Sequence, residues 1–377
     1  MFYILIILAT VQLVHPTKGR VILKFIHCSD LHLDSKMETN LTKDQAKARR
    51  YELLSTFERM VDYAKENEVR AILISGDLFD TDKNKQKRMK DRVLEVISEA
   101  KEVDFLYLQG NHDQDDFFQS IENLPSNLKL FGYFWGDYTY GNVNFTGISL
   151  CEANSLAMYD ALFLREECIN IVALHGQAVS HLSDDPTLIS LPKLQNKNID
   201  YLALGHLHQH KVQPLDRRGE VCYSGCLEGR GFDECGEKGF VLLEVGEDGL
   251  SHSFVPFAKR TIHEVCTEVE GNSHHLLRQI EEKISELSPD DYLRVVLVGQ
   301  ISEEIDTDYL TSNLQERFYC FKLVDRTEIA IDYTRFQNDI SLKGEYIRTV
   351  LALELPENQT NRIILMGLHA LEGREIS

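Results

Sequence analysis

An α/β fold is what this 377-residue sequence predicts, and three observations carry the prediction. Short apolar runs alternate with stretches of helical periodicity from Val21 to Ala173. Five apolar runs each end in a block rich in carboxylate and imidazole. A second, smaller alternation of the same kind occupies residues 259–328.

The elements follow in order. Val21–Ile26 predicts the first strand and leads into S-D-L-H at Ser29–His32. A helix is expected over Asp44–Glu66, with Tyr51, Leu54, Phe57, Val61 and Ala64 on its inner face. Val69–Ser75 predicts the next strand, which runs into G-D-L-F-D at Gly76–Asp80. A second amphipathic helix is expected over Gln86–Lys101, its stripe formed by Met89, Val93, Val96, Ile97 and Ala100. The strand Val103–Leu108 delivers G-N-H-D at Gly110–Asp113. Strands at Ile169–Leu174 and Ile199–Leu204 deliver L-H-G at Leu174–Gly176 and G-H-L-H at Gly205–His208. Further strands are expected within Gly236–Phe257. The second alternation predicts strands at Ile262–Val269, Tyr292–Val298 and Tyr319–Val324, with helices at Ser273–Leu287 and Asp306–Phe318. A tail from Ser341 ends on a short helix at Met366–Leu371. The expected units are an extension over 1–20, a main domain over 21–257, a smaller domain over 258–340 and a tail over 341–377.

In open α/β sheets, ligands bind beyond the carboxyl ends of the strands, and every block lies at such an end. Two divalent ions need about seven or eight ligands, one of them bridging, with positions left open for water and phosphate. The blocks offer Asp30, His32, Asp77, Asn111, His175, His206 and His208. Mixed carboxylate, imidazole and amide oxygen suits manganese, iron or zinc better than calcium. Asp77 is the natural bridge, because a carboxylate has two oxygens and this one is central among the blocks. With Asn111 facing the metals, His112 should face the substrate, where an imidazole can protonate a leaving oxygen near neutral pH. Asp80 is placed to orient that ring. An isolated Asp-x-His or Gly-Asp pair is usually a turn. Five such blocks, in order and at strand ends, are consistent across levels in a way that turns are not.

Composition narrows the class. A hydrophobic content of 43% with 27% charged residues is that of a folded globular chain. The net charge of −20 argues against a protein that coats itself in nucleic acid, so any DNA contact must be local. The basic cluster Lys83, Lys85, Lys87, Arg88, Lys90 and Arg92 is the first candidate, with Lys43, Lys47, Arg49 and Arg50 as the second. Both follow a ligand block closely. The eight cysteines are scattered with no C-x-x-C pair, which favours reduced thiols and a cytoplasmic location. Phe2–Val14 is apolar but too short to span a bilayer, so no stable membrane partner is expected. It reads as sequence upstream of a start near Val21, with a secretory signal or a membrane-associated extension as the other readings.

These blocks resemble the calcineurin-like metallophosphoesterase superfamily, whose motifs cover residues 25–208 here. Within it the chain is most similar to the SbcD-type DNA repair exonucleases. F-I-H-C-S-D-L-H-L-D at Phe25–Asp34 carries the likeness, as do Y-S-G and G-E-K-G-F within Tyr223–Phe240. Cys226 and Leu227 stand where that group has serine and proline. The resemblance implies a β-sandwich flanked by helices, with the second α/β unit as a capping domain. It implies one ion held by Asp30, His32, Asp77 and His208, and another by Asp77, Asn111, His175 and His206, with His112 as the catalytic histidine. Manganese is the metal it implies, and 3′-to-5′ exonuclease with endonuclease activity the reaction. DNA, an SbcC-type coiled-coil ATPase and a second copy of the chain are the implied partners.

Three other classes stand beside this one. Protein phosphatases share the blocks but carry Arg-Gly after the second and glutamate in the third, where this chain has Thr81–Asp82 and Asp113. A nucleotidase or small-molecule phosphodiesterase is favoured by the acidic charge. A non-catalytic scaffold would show a broken ligand set, and this set is complete.

Overall fold

A computed structural model of the chain describes residues 22–37, 41–80, 87–113, 118, 121–301, 305–329, 336 and 338–371. The apolar run Phe2–Val14 and the candidate DNA contacts Lys83 and Lys85 lie outside them. In chain order the first elements are β1 (Leu23–Cys28), α1 (Lys43–Glu66), β2 (Val69–Ser75), α2 (Lys87–Glu99), β3 (Asp104–Leu108) and β4 (Leu128–Leu130). Next come β5 (Gly136–Tyr140), β6 (Val143–Gly147), α3 (Met158–Ala161), β7 (Ile169–His175), β8 (Gln177–Val179) and β9 (Leu188–Ser190). Then follow α4 (Leu191–Leu194), β10 (Tyr201–Gly205), β11 (Lys211–Pro214), β12 (Glu220–Tyr223), β13 (Gly239–Gly246) and β14 (Gly249–Pro256).

These strands build two six-stranded sheets, ordered β14-β13-β1-β2-β3-β4 and β11-β12-β10-β7-β6-β5. Neighbours run parallel from β1 to β4 and from β12 through β10 and β7 to β6, and antiparallel pairs lie at β1–β13, β13–β14, β11–β12 and β5–β6. Near-continuous apolar runs make this possible, because both faces of each central strand are covered. Phe25, Leu73 and Leu106 point inward to meet Phe145, Ala173 and Ala203 from the other sheet. Their neighbours Ile26, Ile72 and Phe105 point outward to α1 and α2, and Val172 and Leu202 point outward on the opposite side. The result is a helix-flanked β-sandwich. His27 joins its sheets beneath the site, with Nε2 2.8 Å from Ser75 Oγ and Nδ1 2.9 Å from Tyr201 Oη.

The second α/β unit contains β15 (Ile262–Glu268), α5 (Ser273–Lys283), β16 (Tyr292–Val298), β17 (Gln300–Ile301), α6 (Thr307–Leu314), β18 (Cys320–Asp325) and β19 (Glu328–Ile329). Its three-stranded parallel sheet β15-β16-β18 packs Leu293, Val295 and Leu297 against Leu276, Ile280, Leu310 and Leu314 of the helices. Two more helices follow, α7 (Leu342–Leu351) and α8 (Glu357–Leu371), so the last helix is longer than Met366–Leu371. Among the described residues, no helix is long and apolar enough to cross a membrane.

The inner face of α1 matches the expected one in part. Phe57, Val61 and Ala64 are buried as expected, but Tyr51 is 63% exposed, and Ala46, Arg49, Leu53 and Met60 complete the buried stripe. Arg49 therefore lies in the core and is no surface contact for DNA. Its Nη2 donates to Glu228 Oε2 at 3.0 Å and to the Gly229 carbonyl at 2.7 Å, and its Nη1 to Glu52 Oε2 at 2.5 Å. Arg260 closes the network on Glu52 and stacks over Tyr319 of the second unit, 3.6 Å from the ring centroid. Gln45 Nε2 donates to the Tyr319 carbonyl at 2.8 Å, so α1 ties the two units together. Removing one member of a buried, hydrogen-bonded ion pair strands the other. Arg49→Ala is therefore expected to destabilise the chain by about 3–5 kcal/mol in denaturant unfolding. A loss within about 0.5 kcal/mol, the usual range of a surface substitution, would contradict this account of Arg49.

Candidate metal centre

The five blocks meet at the carboxyl ends of β1, β2, β3, β7 and β10. Backbone bonds zip the first two together: Asp30 N donates to the Gly76 carbonyl at 3.1 Å, and His32 N to the Asp77 carbonyl at 3.0 Å. Asp30, His32, Asp77 and His206 all take positive φ, at 52°, 43°, 52° and 100°. Such strain costs about 1–3 kcal/mol per residue and persists where the surroundings over-determine it. Glycine is required next to these residues by contact. A Cβ on Gly110 would lie 2.1 Å from Asp77 Oδ1, and one on Gly76 2.2 Å from His175 Nδ1. Asp113 locks the second block to the third by accepting from Phe79 N at 2.9 Å and Gly110 N at 3.0 Å.

The seven candidate donors lie in one cluster. Asp30, His32 and His208 form one group of converging ligand atoms, and Asp30, Asp77 and His175 another. Asp77 Oδ2 lies 3.3 Å from His175 Nε2 and 3.8 Å from His32 Nε2, so it stands between the two histidines. Asn111 Oδ1 lies 2.9 Å from His175 Nε2 and 3.1 Å from His206 Nδ1. Asp30 also accepts from His206 N at 3.0 Å, which places the fifth block against the first.

Second-layer carboxylates set the rings. Asp80 Oδ1 is 2.6 Å from His32 Nδ1 and 3.6 Å from His112 Nδ1, so it serves His32 more closely than the histidine expected from sequence. Glu234 Oε1 is 2.6 Å from His208 Nδ1. Both interactions leave Nε2 of the ring free to ligate, as metal-bound histidines require. Arg230 joins the two acids, 3.0 Å from Glu234 and 3.6 Å from Asp80. Burial opposes the charge on Glu234, but His208 and Arg230 hold its carboxyl down at about 2. Asp80 is likewise held below the usual carboxylate range, against its burial, by His32, Arg230 and His112.

The donor chemistry fits a metal pair. His175 Nδ1 faces the Ser75 carbonyl at 2.9 Å, and a carbonyl can only accept, so Nδ1 carries a proton. In the neutral ring, Nε2 then points a lone pair at the oxygens of Asn111 and Asp77. Such a cluster of acceptors calls for a cation or a proton among them. Without metal, burial disfavours charge on His175, yet Asp77 raises its pKa from 6.5 to about 9. A raised pKa means that the His175–Asp77 attraction is fully present below pH 6.5 and is lost as pH rises through about 9. Metal must displace that proton. Metal affinity is therefore expected to climb with pH up to about 9, with one proton released by His175 per chain loaded. Calorimetry in buffers of different ionisation enthalpy checks this. A proton release that does not change between pH 6 and pH 9 would contradict it.

His112 lies at the edge of the cluster, where its ring nitrogen converges with atoms of His32 and Asp80. Its side chain is 52% exposed and its ring lies edge-on to His32, while its backbone N donates to Asp77 Oδ1 at 2.8 Å. The backbone thus shares the central carboxylate, and the ring faces the mouth. Of the basic candidates, Lys43, Lys47 and Arg88 are exposed. Arg50 donates to the Lys36 carbonyl, and Arg92 pairs with Glu58 and Glu95. Lys87 opens α2. Lys90 is only 4% exposed and sits over the Phe79 ring, 5.2 Å from its centroid, which removes it as a surface contact. Sequence reasoning missed Arg230 and Glu234. The available signal was a polar E-G-R-G-F-D-E segment inside the stretch Tyr223–Phe240.

A family model described as calcineurin-like phosphoesterase matches residues 23–210, the region that carries all five blocks. The chain is 26% identical over 311 residues to an uncharacterized metallophosphoesterase, YhaO, of Bacillus subtilis, covering 74% of this chain and 73% of that one. It is 24% identical over 349 residues to the DNA double-strand break repair protein Mre11 of Sulfolobus acidocaldarius, covering 87% and 86%. The match to Mre11 of Methanosarcina acetivorans, 23% over 288 residues, covers 70% of this chain but only 44% of that relative's length. With the fold, the strand-end blocks and the donor cluster in agreement, the chain belongs to the calcineurin-like phosphoesterases, hydrolases built around dimetal centres.

Proposed function

We propose that the chain is a dimetal-dependent phosphodiesterase acting on DNA, with 3′-to-5′ exonuclease and endonuclease activity of the DNA repair type. The observation that carries the reading is the pairing of a seven-donor cluster with a half-exposed histidine, His112, beside Asp80 at its mouth. Asp30, His32, Asp77 and His208 would hold one ion, and Asp77, Asn111, His175 and His206 the other. Manganese is the metal we assign. When bound, the ions supply an activated water and neutralise charge at phosphorus. His112 gives a proton to the leaving oxygen, and Asp80 Oδ1, 3.6 Å from its Nδ1, holds the ring in place. The names of the archaeal relatives support DNA as the substrate. The second α/β unit, approximately 258–340, would act as a capping domain, and an SbcC-type ATPase and a second copy would be partners.

Labelled single- and double-stranded DNA, incubated with the purified chain plus manganese or chelator, tests the reading. Metal-dependent shortening of DNA supports it. Hydrolysis of nucleotides with none of DNA would select a nucleotidase instead. For the DNA contacts, the exposed residues Lys43, Lys47 and Arg88 are the ones to test. Changing all three to glutamate is expected to weaken DNA binding and to lower the log–log salt slope by roughly 0.9 per lost phosphate contact. Hydrolysis of a small chromogenic phosphodiester should stay near normal. Equal loss on both substrates would show that these residues support the fold.

A further inference from the structure

We propose that Arg230 and Glu234 form a positioning pair that couples the two sides of the metal centre. The inference rests on the dimetal reading above and adds residues that no block contains. Both lie in the loop after β12, remote in sequence from the other site residues, and both are drawn into the mouth by local bonds. Arg230 N donates to Glu234 Oε2 at 2.7 Å, and Glu234 N to the Gly231 carbonyl at 2.9 Å, so the loop folds back on itself. Glu234 is then locked against His208 at 2.6 Å. Lys238 from the same loop takes the His208 carbonyl at 2.7 Å, and the ring and backbone of His208 are thereby fixed from one segment.

Arg230 carries the coupling. Its Nε and Nη2 donate to Glu234 Oε1 at 3.2 and 3.0 Å, while Nη1 faces Asp80 Oδ2 at 3.6 Å. Asp80 in turn sets His32 and faces His112. One planar guanidinium thus sits between the carboxylate that sets His208 and the carboxylate that sets His32 and His112. Its positive charge offsets part of the repulsion between two acids, and between them and an incoming phosphate. A lysine at this position is a point charge and cannot serve both acids in one plane. Neither residue touches the candidate ligands Asn111, His175 and His206, so the effect should be confined to one ion.

The test measures metal binding by calorimetry with manganese alone and hydrolysis of a phosphodiester with a poorly acidic leaving group, on the full chain. Glu234→Gln keeps the volume and removes the charge. It should weaken one of the two ions roughly 10- to 100-fold and leave the other unchanged. Its lost rate should return at saturating manganese. Arg230→Met should also lower kcat, with KM little changed, and excess manganese should not restore it, because the Asp80–His112 side is released as well. Arg230→Lys should fall between Arg230→Met and wild type, and it gives the readout if Arg230→Met does not fold. If all three variants lose thermal stability but keep two ions at wild-type affinity and wild-type kcat, the pair is merely structural and the proposal is overturned. Failure of the wild-type chain to bind two ions would instead overturn the dimetal reading.

Discussion

Asp77→Ala is expected to remove both ions and the activity together. Asp77 approaches both halves of the cluster, 3.3 Å from His175 and 3.8 Å from His32, and it is buried. Its Oδ1 also accepts from His112 N, so its loss loosens the third block as well as the ligand set. Losing the ion pair forfeits several kcal/mol of transition-state charge stabilisation, which at about 1.36 kcal/mol per decade means a fall of roughly 10³-fold or more. Metal analysis beside hydrolysis of a chromogenic diester checks the result. A variant that keeps both ions, or most of its rate, would remove Asp77 from its bridging role.

His112→Ala should separate what Asp77→Ala joins. The ring is half exposed, and its Nδ1 lies 3.6 Å from Asp80 Oδ1. Metal content should stay at the wild-type level. The rate should fall about 10²–10⁴-fold, the usual contribution of a positioned general acid. The loss should be smaller on a diester whose leaving group is already acidic, because such a group needs no proton. If the His112 variant loses its ions as readily as the Asp77 variant, His112 is a ligand and the assignment fails.

The strand ends were legible because buried parallel strands read as apolar runs, and each block interrupts such a run abruptly. Val69–Ser75 and Tyr292–Val298 match the structure to the residue. The faces of α1 were less legible. Tyr51 looked like a core residue by hydropathy, whereas the period through Ala46, Leu53, Phe57 and Met60 puts Arg49 inside. A buried arginine is legible only once its partners are known, and Glu228 and Gly229 lie far along the chain. Lys90 misled for a similar reason: a lysine in a basic run reads as solvated until an aromatic ring is found beneath it. Arg230 and Glu234 escaped because their role depends on a loop folding back across the mouth, and local patterning does not encode that closure.

The most direct measurement of the central claim is anomalous diffraction from crystals of the chain soaked in manganese. The account predicts two peaks in the mouth, one among Asp30, His32, Asp77 and His208 and the other among Asp77, Asn111, His175 and His206. In Asp77→Ala both should vanish, and in His112→Ala both should remain. A single peak, peaks outside this cluster, or none at all in the wild-type crystal would contradict it.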